Sequence, residues 1–310
     1  MSASPHNHRR IAAALDRRFP NNKIAPCHYG QLLTEYVEAN IGPPHLVDEV
    51  ETGDEGKLWS CIWEAMLYRH LRAQGYEPKG VAKPAGQHGP DFRVEHAGRT
   101  IWIEAVVPGP DGTSADYLES PVPGGEIRVK TKPDAERVLR CTSVIADKRR
   151  KLDGYRKEGI IGAKDCAVIA VNICRLSDWD PDGNGISQYP LSMEAVFPIG
   201  PLAVSITSNG KIDGPAQNMP RFAVRKASGT EIETANFFAQ DFAGVSAVIQ
   251  AHQRDMHEKN LVLSTIHNPL AVNKLPVGLF GVYKEFVAER QDDAYRIRDL
   301  RREPSRQEQP

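Results

Sequence analysis

Two short apolar segments that each carry one acidic residue constrain the fold of this chain more than any other feature. The first is Gly89-Pro90-Asp91-Phe92-Arg93-Val94, and the second is Ile101-Trp102-Ile103-Glu104-Ala105-Val106. The intervening His96-Ala97-Gly98-Arg99 is typical of a tight turn, so the two segments are predicted to form a β-hairpin. With a two-residue loop, the numbers of paired residues sum to 195, which places Asp91 opposite Glu104. A bulge at the turn glycine would shift this pairing by one position.

The predicted pairing brings two negative charges together. Residues directly opposite each other on antiparallel strands have Cβ atoms about 4.5–5.5 Å apart, and like charges in that position are destabilising. A folded protein retains such a pair most readily when a hard cation lies between the carboxylates. Oxygen ligands of this kind suit Mg²⁺. The hairpin therefore predicts a magnesium site at Asp91 and Glu104.

A third acidic residue lies on the helix predicted before the hairpin. Asp54 is a suitable N-cap for this helix, and Gly75 suits its C-terminal end. Apolar side chains surround the helix on nearly all sides, which is typical of a buried helix. Glu64 lies at the centre of one apolar side, and a buried carboxylate is rarely unpaired. Its partner is predicted to be the acidic site or, alternatively, a nearby arginine.

These motifs resemble the PD-(D/E)xK nuclease superfamily: Pro90-Asp91, Glu104 thirteen residues later on a hairpin, and a preceding helix that carries Glu64. The resemblance covers about positions 55 to 175 and implies an α/β fold with a restriction-endonuclease-like core, a central mixed β-sheet flanked by helices. It implies that Asp91 and Glu104 bind Mg²⁺, with Mn²⁺ as a substitute. For a nuclease of this kind, Glu64 would be an additional ligand or would position water, and we expect the substrate to be DNA. Members of the family have a lysine two residues after the second acid, where this chain has Val106.

A second long helix, predicted from Pro133 to about Gly159, offers a replacement for that lysine. The inward stripe of this helix consists of Val138, Cys141, Ile145, Leu152 and Tyr155. Position 148 completes the stripe and holds a lysine. Lys148 either extends along the apolar surface to solvent near the helix end or reaches the two carboxylates. Some members of the superfamily carry the catalytic lysine on this helix, so the resemblance implies that role for Lys148.

Basic residues are concentrated around this helix, although the whole chain has a formal net charge of only −1. Between Glu126 and Lys157 there are eleven Lys/Arg residues against five Asp/Glu residues. Such a stripe in a neutral protein is typical of a phosphate-contacting face, and equally of a solvated helix face. The residues predicted to contact phosphate groups or to flank the site are Arg140, Arg149, Arg150, Lys151 and Arg156.

The rest of the chain is predicted to complete one domain. Asp165–Cys174 is a continuous apolar run, typical of a central strand. Strands that extend the sheet are predicted at Ala203–Thr207, Arg221–Lys226, Val245–Gln250 and Leu261–His267, and a short strand at Ile127–Lys130. We expect a flexible N-terminal segment over 1–20 that contains a short helix at Arg9–Arg18, a single nuclease-like domain over 21–289, and a polar tail over 290–310.

Composition excludes several classes of protein. With 40% hydrophobic and 25% charged residues the chain is not disordered throughout, and no apolar run approaches the ~20 residues that a membrane helix needs. The N-terminus lacks the apolar core of a secretory signal. The five cysteines have no CxxC spacing, and three of them, Cys61, Cys141 and Cys166, lie in apolar runs, which indicates reduced core thiols and a cytoplasmic location.

Three functions are compatible with these features. The first is a metal-dependent nuclease that acts on DNA through Asp91, Glu104, Glu64 and Lys148. The second is a catalytically inactive nuclease-fold module that binds nucleic acid or a protein partner, which the valine at position 106 favours. The third is a small-molecule α/β hydrolase, but the chain has neither a GxSxG nor an HExxH motif. A homodimer is compatible with all three.

Overall fold

A seven-stranded mixed β-sheet lies at the centre of the computed structural model, which describes residues 5–22, 24–43, 45–80, 89–113, 133–176, 183–254, 261–291 and 294–301. In spatial order the strands are β1 (Phe92–His96), β2 (Arg99–Val106), β3 (Cys166–Asn172), β8 (Ala247–Ala251), β9 (Ser264–His267), β10 (Lys284–Gln291) and β11 (Ala294–Asp299). Neighbouring strands are parallel at β2–β3, β3–β8 and β9–β10, and antiparallel elsewhere. Helices flank this sheet, so the predicted α/β class with a mixed sheet is confirmed.

Two long helices cover opposite faces of the sheet near β2. They are α4 (Glu55–Ala73) and α5 (Asp134–Lys157). Successive side chains of a strand point to opposite faces; accordingly Ile101 and Ile103 share an apolar cluster with α4, whereas Trp102 shares one with α5. Strand β3 is buried along its whole length, which explains its continuous apolar sequence.

The ends and the inward side of these helices follow the sequence pattern. The Asp54 carboxylate accepts a hydrogen bond from the Lys57 N–H at 2.9 Å, which confirms it as the N-cap of α4. Gly75 has the left-handed φ of 82° that ends the helix. On α5 the predicted inward stripe is buried at every position: Val138, Cys141, Ile145, Leu152 and Tyr155.

The short helix predicted at Arg9–Arg18 is confirmed, and it packs into the domain although the segment over 1–20 was predicted to be flexible. Three helices precede α4: α1 (Pro5–Arg18), α2 (Ile24–Glu38) and α3 (Leu46–Glu51). Ile11 and Leu15 on α1 are fully buried in the cluster that includes α2, α3 and α4. The Arg10 guanidinium also pairs with Glu51 on α3. Burial of the apolar side of α1 makes it a structural helix, whereas the polarity of the first residues had suggested a mobile one.

The C-terminal boundary also differs from the predicted tail over 290–310. Strand β11 pairs with β10 through six residue pairs, from Phe286 with Asp299 to Gln291 with Ala294. The Tyr295 ring stacks on Phe238 with centroids 4.3 Å apart, and Ile297 packs against the cluster under α5. Alternating apolar residues therefore attach this charged segment to the sheet edge. Residues 302–310 lie outside the described part of the chain.

The four strands predicted after β3 divide between two environments. Val245–Gln250 and Leu261–His267 correspond to β8 and β9 in the central sheet, which confirms them. The other two segments correspond to β4 (Ile199–Ile206) and β6 (Ala223–Arg225), which form separate two-stranded sheets with β5 (Ile212–Pro220) and β7 (Glu231–Glu233). Their β-branched residues predicted strands correctly, but most β4 and β5 side chains stay exposed and do not extend the core. The strand predicted at Ile127–Lys130 lies outside the described residues.

Short helices complete the described structure. They are α6 (Leu191–Val196) and three 3₁₀ turns at Asn236–Phe238, Gln240–Phe242 and Leu279–Gly281. The three cysteines predicted as core thiols are buried and unbridged. Among the helices of the described ranges, none combines the length and the apolar character that crossing a membrane requires.

Truncation of a buried side chain on α1 tests its packing. Leu15→Ala should lower the free energy of unfolding by about 2–5 kcal/mol, because it removes buried methyl groups and leaves a cavity. The exposed neighbour Asp16, changed to Ala, should shift it by no more than about 0.5 kcal/mol. Urea denaturation of the two variants measures both values. Equal stabilities of the Leu15 variant and the wild type would show that α1 is not packed.

Candidate active site

The hairpin places Asp91 beside Glu104 in the predicted register. Phe92 pairs with Ile103 and His96 with Arg99, so paired residue numbers sum to 195 without a bulge. The turn residues Ala97 and Gly98 have φ of 47° and 74°, as a two-residue type I′ loop requires. Asp91 immediately precedes β1, and its Oδ2 accepts a hydrogen bond from the Ala105 N–H at 2.7 Å. The backbone of β2 thus holds the Asp91 carboxylate next to Glu104.

Glu104 is the buried centre of the site. The residue is only 2% exposed, and its side chain lies on the face of β2 that α5 covers. Its Oε1 accepts a hydrogen bond from the Lys148 Nζ at 2.7 Å, and the Lys151 Nζ lies 3.8 Å from the same oxygen. Its Oε2 is also buried but has no hydrogen-bond partner among the described residues. One carboxylate oxygen is therefore paired with a cation while the other has unused acceptor capacity.

The contact between Lys148 and Glu104 confirms the predicted direction of the lysine side chain. Lys148 follows Cys141 by seven residues and precedes Tyr155 by seven, so it lies on the buried side of α5. Its side chain is 15% exposed, which excludes the alternative of a lysine that extends into open solvent. The Lys148 ammonium thus lies beside Glu104, although the residue two positions after Glu104, Val106, carries no charge.

Burial and charge shift the pKa values of both partners. Burial raises the pKa of Glu104 and the repulsion from Asp91 adds to it, so the value reaches about 7 although Lys148 opposes the shift. Burial lowers the pKa of Lys148, but the attraction of Glu104, Asp91 and Glu64 outweighs it, and the net shift is upward. Lys148 is consequently an ammonium at neutral pH.

Glu64 approaches the same region from the opposite face of the sheet. Its Oε2 accepts a hydrogen bond from the Tyr36 hydroxyl on α2 at 3.2 Å. Burial and the repulsion from Asp91 raise the pKa of Glu64 well above its ordinary value. Glu104 adds to this upward shift, whereas Lys148 opposes it. Glu64 therefore belongs to the electrostatic environment of the site. Among the described residues it forms no salt bridge to an arginine, which was the alternative prediction.

The prediction that three carboxylates converge on one cation needs correction. Within the described ranges, no group of three or more His, Cys, Asp or Glu residues is arranged to hold a metal ion. Each carboxylate has a different partner: the Ala105 N–H for Asp91, Lys148 for Glu104 and the Tyr36 hydroxyl for Glu64. Glu64 reaches this region from α4, whereas Lys148 binds Glu104 from α5 on the opposite face.

Two of the three carboxylates fit a hard divalent cation. Asp91 and Glu104 lie side by side, and the unpartnered, buried Glu104 Oε2 is an orphaned acceptor in the same place. Mg²⁺ in proteins commonly takes one or two carboxylates and completes its shell with water and phosphate oxygens, so two ligands suffice. Mn²⁺ accepts the same ligands. Glu64 would then act from outside the coordination shell.

The predicted phosphate contacts divide according to their position around α5. Lys151 lies beside Glu104, and Arg140 lies on the same side of the helix, eleven residues earlier, at about 100° per residue. The Arg140 guanidinium does not contact the carboxylates; it donates to the Gly109 carbonyl oxygen at 3.0 Å and to Asp111 Oδ2 at 3.1 Å. It therefore lies next to the site rather than in it.

Arg149 and Arg156 have structural contacts elsewhere, which corrects their assignment to the site. Arg149 is about 180° around α5 from Arg140; it pairs with Asp153 at 3.0 Å and covers the Phe242 ring. Arg156 donates to the carbonyl oxygens of Gly162 and Gly244. Arg150 is exposed and pairs with Asp147 on the same helix. The basic residues thus surround the helix and do not form one continuous face.

Sequence reasoning missed Tyr36 and Arg175. Tyr36 is buried on α2, whose residues Leu32, Leu33 and Tyr36 have helical spacing that predicts an amphipathic helix. Arg175 follows β3, and its Nη2 donates to Glu55 Oε2 at 3.0 Å. No local pattern distinguishes this arginine from other loop arginines, because only the packing of the loop places it near Arg140.

Searches with protein-family models, among curated proteins and among solved structures gave no match.

The raised pKa of Glu104 predicts a pH dependence of stability in metal-free buffer. The pKa of about 7 in the folded state exceeds the ordinary value of 4.5, so the stabilising effect of the proton is complete below about pH 4.5 and is lost as the pH rises through 7. Between pH 4.5 and 8 the wild type should lose on the order of 3 kcal/mol relative to Glu104→Gln. Urea denaturation at each pH measures the difference.

A matched control uses another carboxylate of the same hairpin. Glu95 is exposed, so Glu95→Gln should follow the wild-type pH dependence. Parallel curves for the wild type and Glu104→Gln would contradict the buried, proton-binding Glu104.

Proposed function

We propose that the protein is a metal-dependent nuclease that hydrolyses phosphodiester bonds in DNA. The observation that carries the proposal is the 2.7 Å contact between Lys148 and Glu104, beside Asp91 and with Glu104 Oε2 unpartnered. Two neighbouring carboxylates and one ammonium are the groups that phosphodiester hydrolysis with a divalent cation needs. The resemblance to PD-(D/E)xK nucleases supports the same assignment, with the lysine provided by α5.

In this proposal Asp91 and Glu104 would hold Mg²⁺, or Mn²⁺ in its place. When bound, the metal supplies a more acidic water molecule and stabilises negative charge on the phosphate group. Both carboxylates must be ionised to bind it, so the raised pKa of Glu104 predicts weaker metal affinity below pH 7.

Lys148 has two roles in the proposal. Its hydrogen bond to Oε1 orients the Glu104 carboxylate and leaves Oε2 without a partner among the described residues. Because its pKa is raised, Lys148 keeps its proton at neutral pH. It is therefore suited to orient water and to stabilise the charge that develops on the phosphate, and not to act as a general base.

Tyr36 and Glu64 would support the site from the other face of the sheet. The upward pKa shift of Glu64 favours its neutral form, which reduces repulsion with Asp91. Lys151 is exposed beside Glu104 and would contact a backbone phosphate. Contacts of this kind provide affinity without sequence specificity.

An inactive module that binds nucleic acid or a protein partner is the second candidate. Two observations favour it: Val106 replaces the usual lysine, and the described residues contain no group of three metal-binding side chains. In that case the ion pair of Lys148 with Glu104 would only neutralise a buried charge. The two candidates differ in whether a divalent cation produces strand cleavage.

Removal of the lysine should abolish cleavage. Plasmid DNA and single-stranded DNA incubated with the wild type should be cut in Mg²⁺ or Mn²⁺ and not in EDTA. Lys148→Ala should reduce the rate by at least about 100-fold, as expected for loss of a group that stabilises transition-state charge. Lys148→Met, which retains the aliphatic part of the side chain, should be equally inactive.

Lys157 at the exposed end of the same helix provides the control. Lys157→Ala should cleave at the wild-type rate, and far-UV circular dichroism should show that all variants are folded. A folded wild type that cuts neither DNA with either metal would refute the nuclease and leave the binding module.

A further inference from the structure

A second cationic site lies at the sheet edge where β2 and β3 end. These strands are parallel, so the loops that follow them leave the sheet at the same edge. The first loop contains Gly109 and Asp111, and the second contains Arg175. Arg140 reaches the same place from α5 and donates to the Gly109 carbonyl oxygen. Residues from three separate elements therefore meet here.

Two guanidinium groups converge over Gly109. A Cβ atom at this glycine would lie 3.4 Å from Arg140 Nη2 and 3.7 Å from Arg175 Nη1, so these two nitrogens are at most about 7 Å apart. The same Cβ would lie 3.1 Å from Asp111 Oδ2. Two like charges at this distance favour an anion between or beside them. A side chain at position 109 would crowd Asp111 and both guanidinium groups, so the glycine allows the three to converge.

The two arginines are held in place, whereas the carboxylate beside them is not. The Arg175 side chain is 11% exposed and pairs with Glu55 at 3.0 Å, and the Arg140 guanidinium is bound to the Gly109 carbonyl oxygen. The Asp111 side chain is 82% exposed and pairs with Arg140 at 3.1 Å. Exposed ion pairs of this kind are weak, so a stronger anion can displace Asp111. A phosphate group is such an anion, because arginine binds it through two parallel hydrogen bonds.

The first turn of α4 adds to the positive potential. A Cβ atom at Gly56 would lie 3.6 Å from Arg175 Nη1, so the N-terminus of α4 adjoins the same arginine. The free N–H groups and the dipole at a helix N-terminus favour negative charge. This contribution is secondary to the two arginines, because Asp54 and Glu55 partly compensate it.

We infer that Arg140 and Arg175 form a subsite for a backbone phosphate of nucleic acid, and that Asp111 occupies it when nucleic acid is absent. Arg140 and Lys148 are eight residues apart, about 12 Å along α5. The subsite would therefore bind a phosphate further along the strand and not the one that is cleaved. The inference rests on the proposed function for the identity of the ligand.

The sign of the Asp111 effect provides the test. Anisotropy of a fluorescein-labelled DNA oligonucleotide, titrated with protein in EDTA at low salt, measures binding without cleavage. Asp111→Asn should bind about threefold more tightly than the wild type, because the internal competitor is removed. Arg175→Ala should bind about tenfold more weakly, and Arg175→Gln should do the same if the alanine variant is unstable.

The pair of Arg225 with Glu231 provides matched controls, since it is an exposed pair on the small sheet of β6 and β7. Glu231→Gln changes the net charge by the same amount as Asp111→Asn, and Arg225→Ala by the same amount as Arg175→Ala. Both control variants, Glu231→Gln and Arg225→Ala, should bind DNA like the wild type. Unchanged or weaker binding by Asp111→Asn would overturn the subsite, as would no DNA binding by the wild type. A wild type that binds as predicted but never cleaves would refute only the nuclease.

Discussion

The ion pair between Lys148 and Glu104 is the interaction on which the candidate site depends. Burial of Glu104 next to Asp91, with Glu64 close by, costs free energy unless positive charge accompanies it. Lys148 provides that charge from α5: burial and Asp91 raise the pKa of Glu104, and the surrounding carboxylates raise the pKa of Lys148, which keeps the lysine charged. Loss of one partner from a buried pair typically costs several kcal/mol. The pair therefore links the hairpin to the helix that covers it. Because Lys148 binds Oε1, the other oxygen of Glu104, Oε2, has no partner among the described residues and would be the metal ligand in the proposed site.

Those parts of the site that depend on local geometry were predictable from the sequence. A two-residue turn determines the hairpin register, so the neighbourhood of Asp91 and Glu104 followed from counting residues. Helical periodicity determines the direction of a side chain, so Lys148 could be placed on the buried side of α5. Both predictions concern residues within one hairpin or one helix, where the chain has few alternatives.

The remaining features depend on packing between distant segments. The sequence of α1 is polar enough to suggest mobility, and only its contact with α2 and α3 explains why Leu15 is buried. Arg149 is adjacent in sequence to Lys148 but binds Asp153 on the other side of the helix. Glu64 is close enough to Asp91 to be influenced by its charge, but α4 packs on the opposite face, and the partner that Glu64 finds there is the Tyr36 hydroxyl. Patterns within one segment do not contain this information.

Anomalous diffraction from crystals soaked in Mn²⁺ tests the metal site most directly. Mn²⁺ takes carboxylate and water oxygens as Mg²⁺ does. The site predicts one strong anomalous peak about 2.2 Å from an Asp91 oxygen and from Glu104 Oε2, with Lys148 still bonded to Oε1. Crystals that bind Mn²⁺ elsewhere in the protein but show no peak between these two carboxylates would contradict the proposed metal centre.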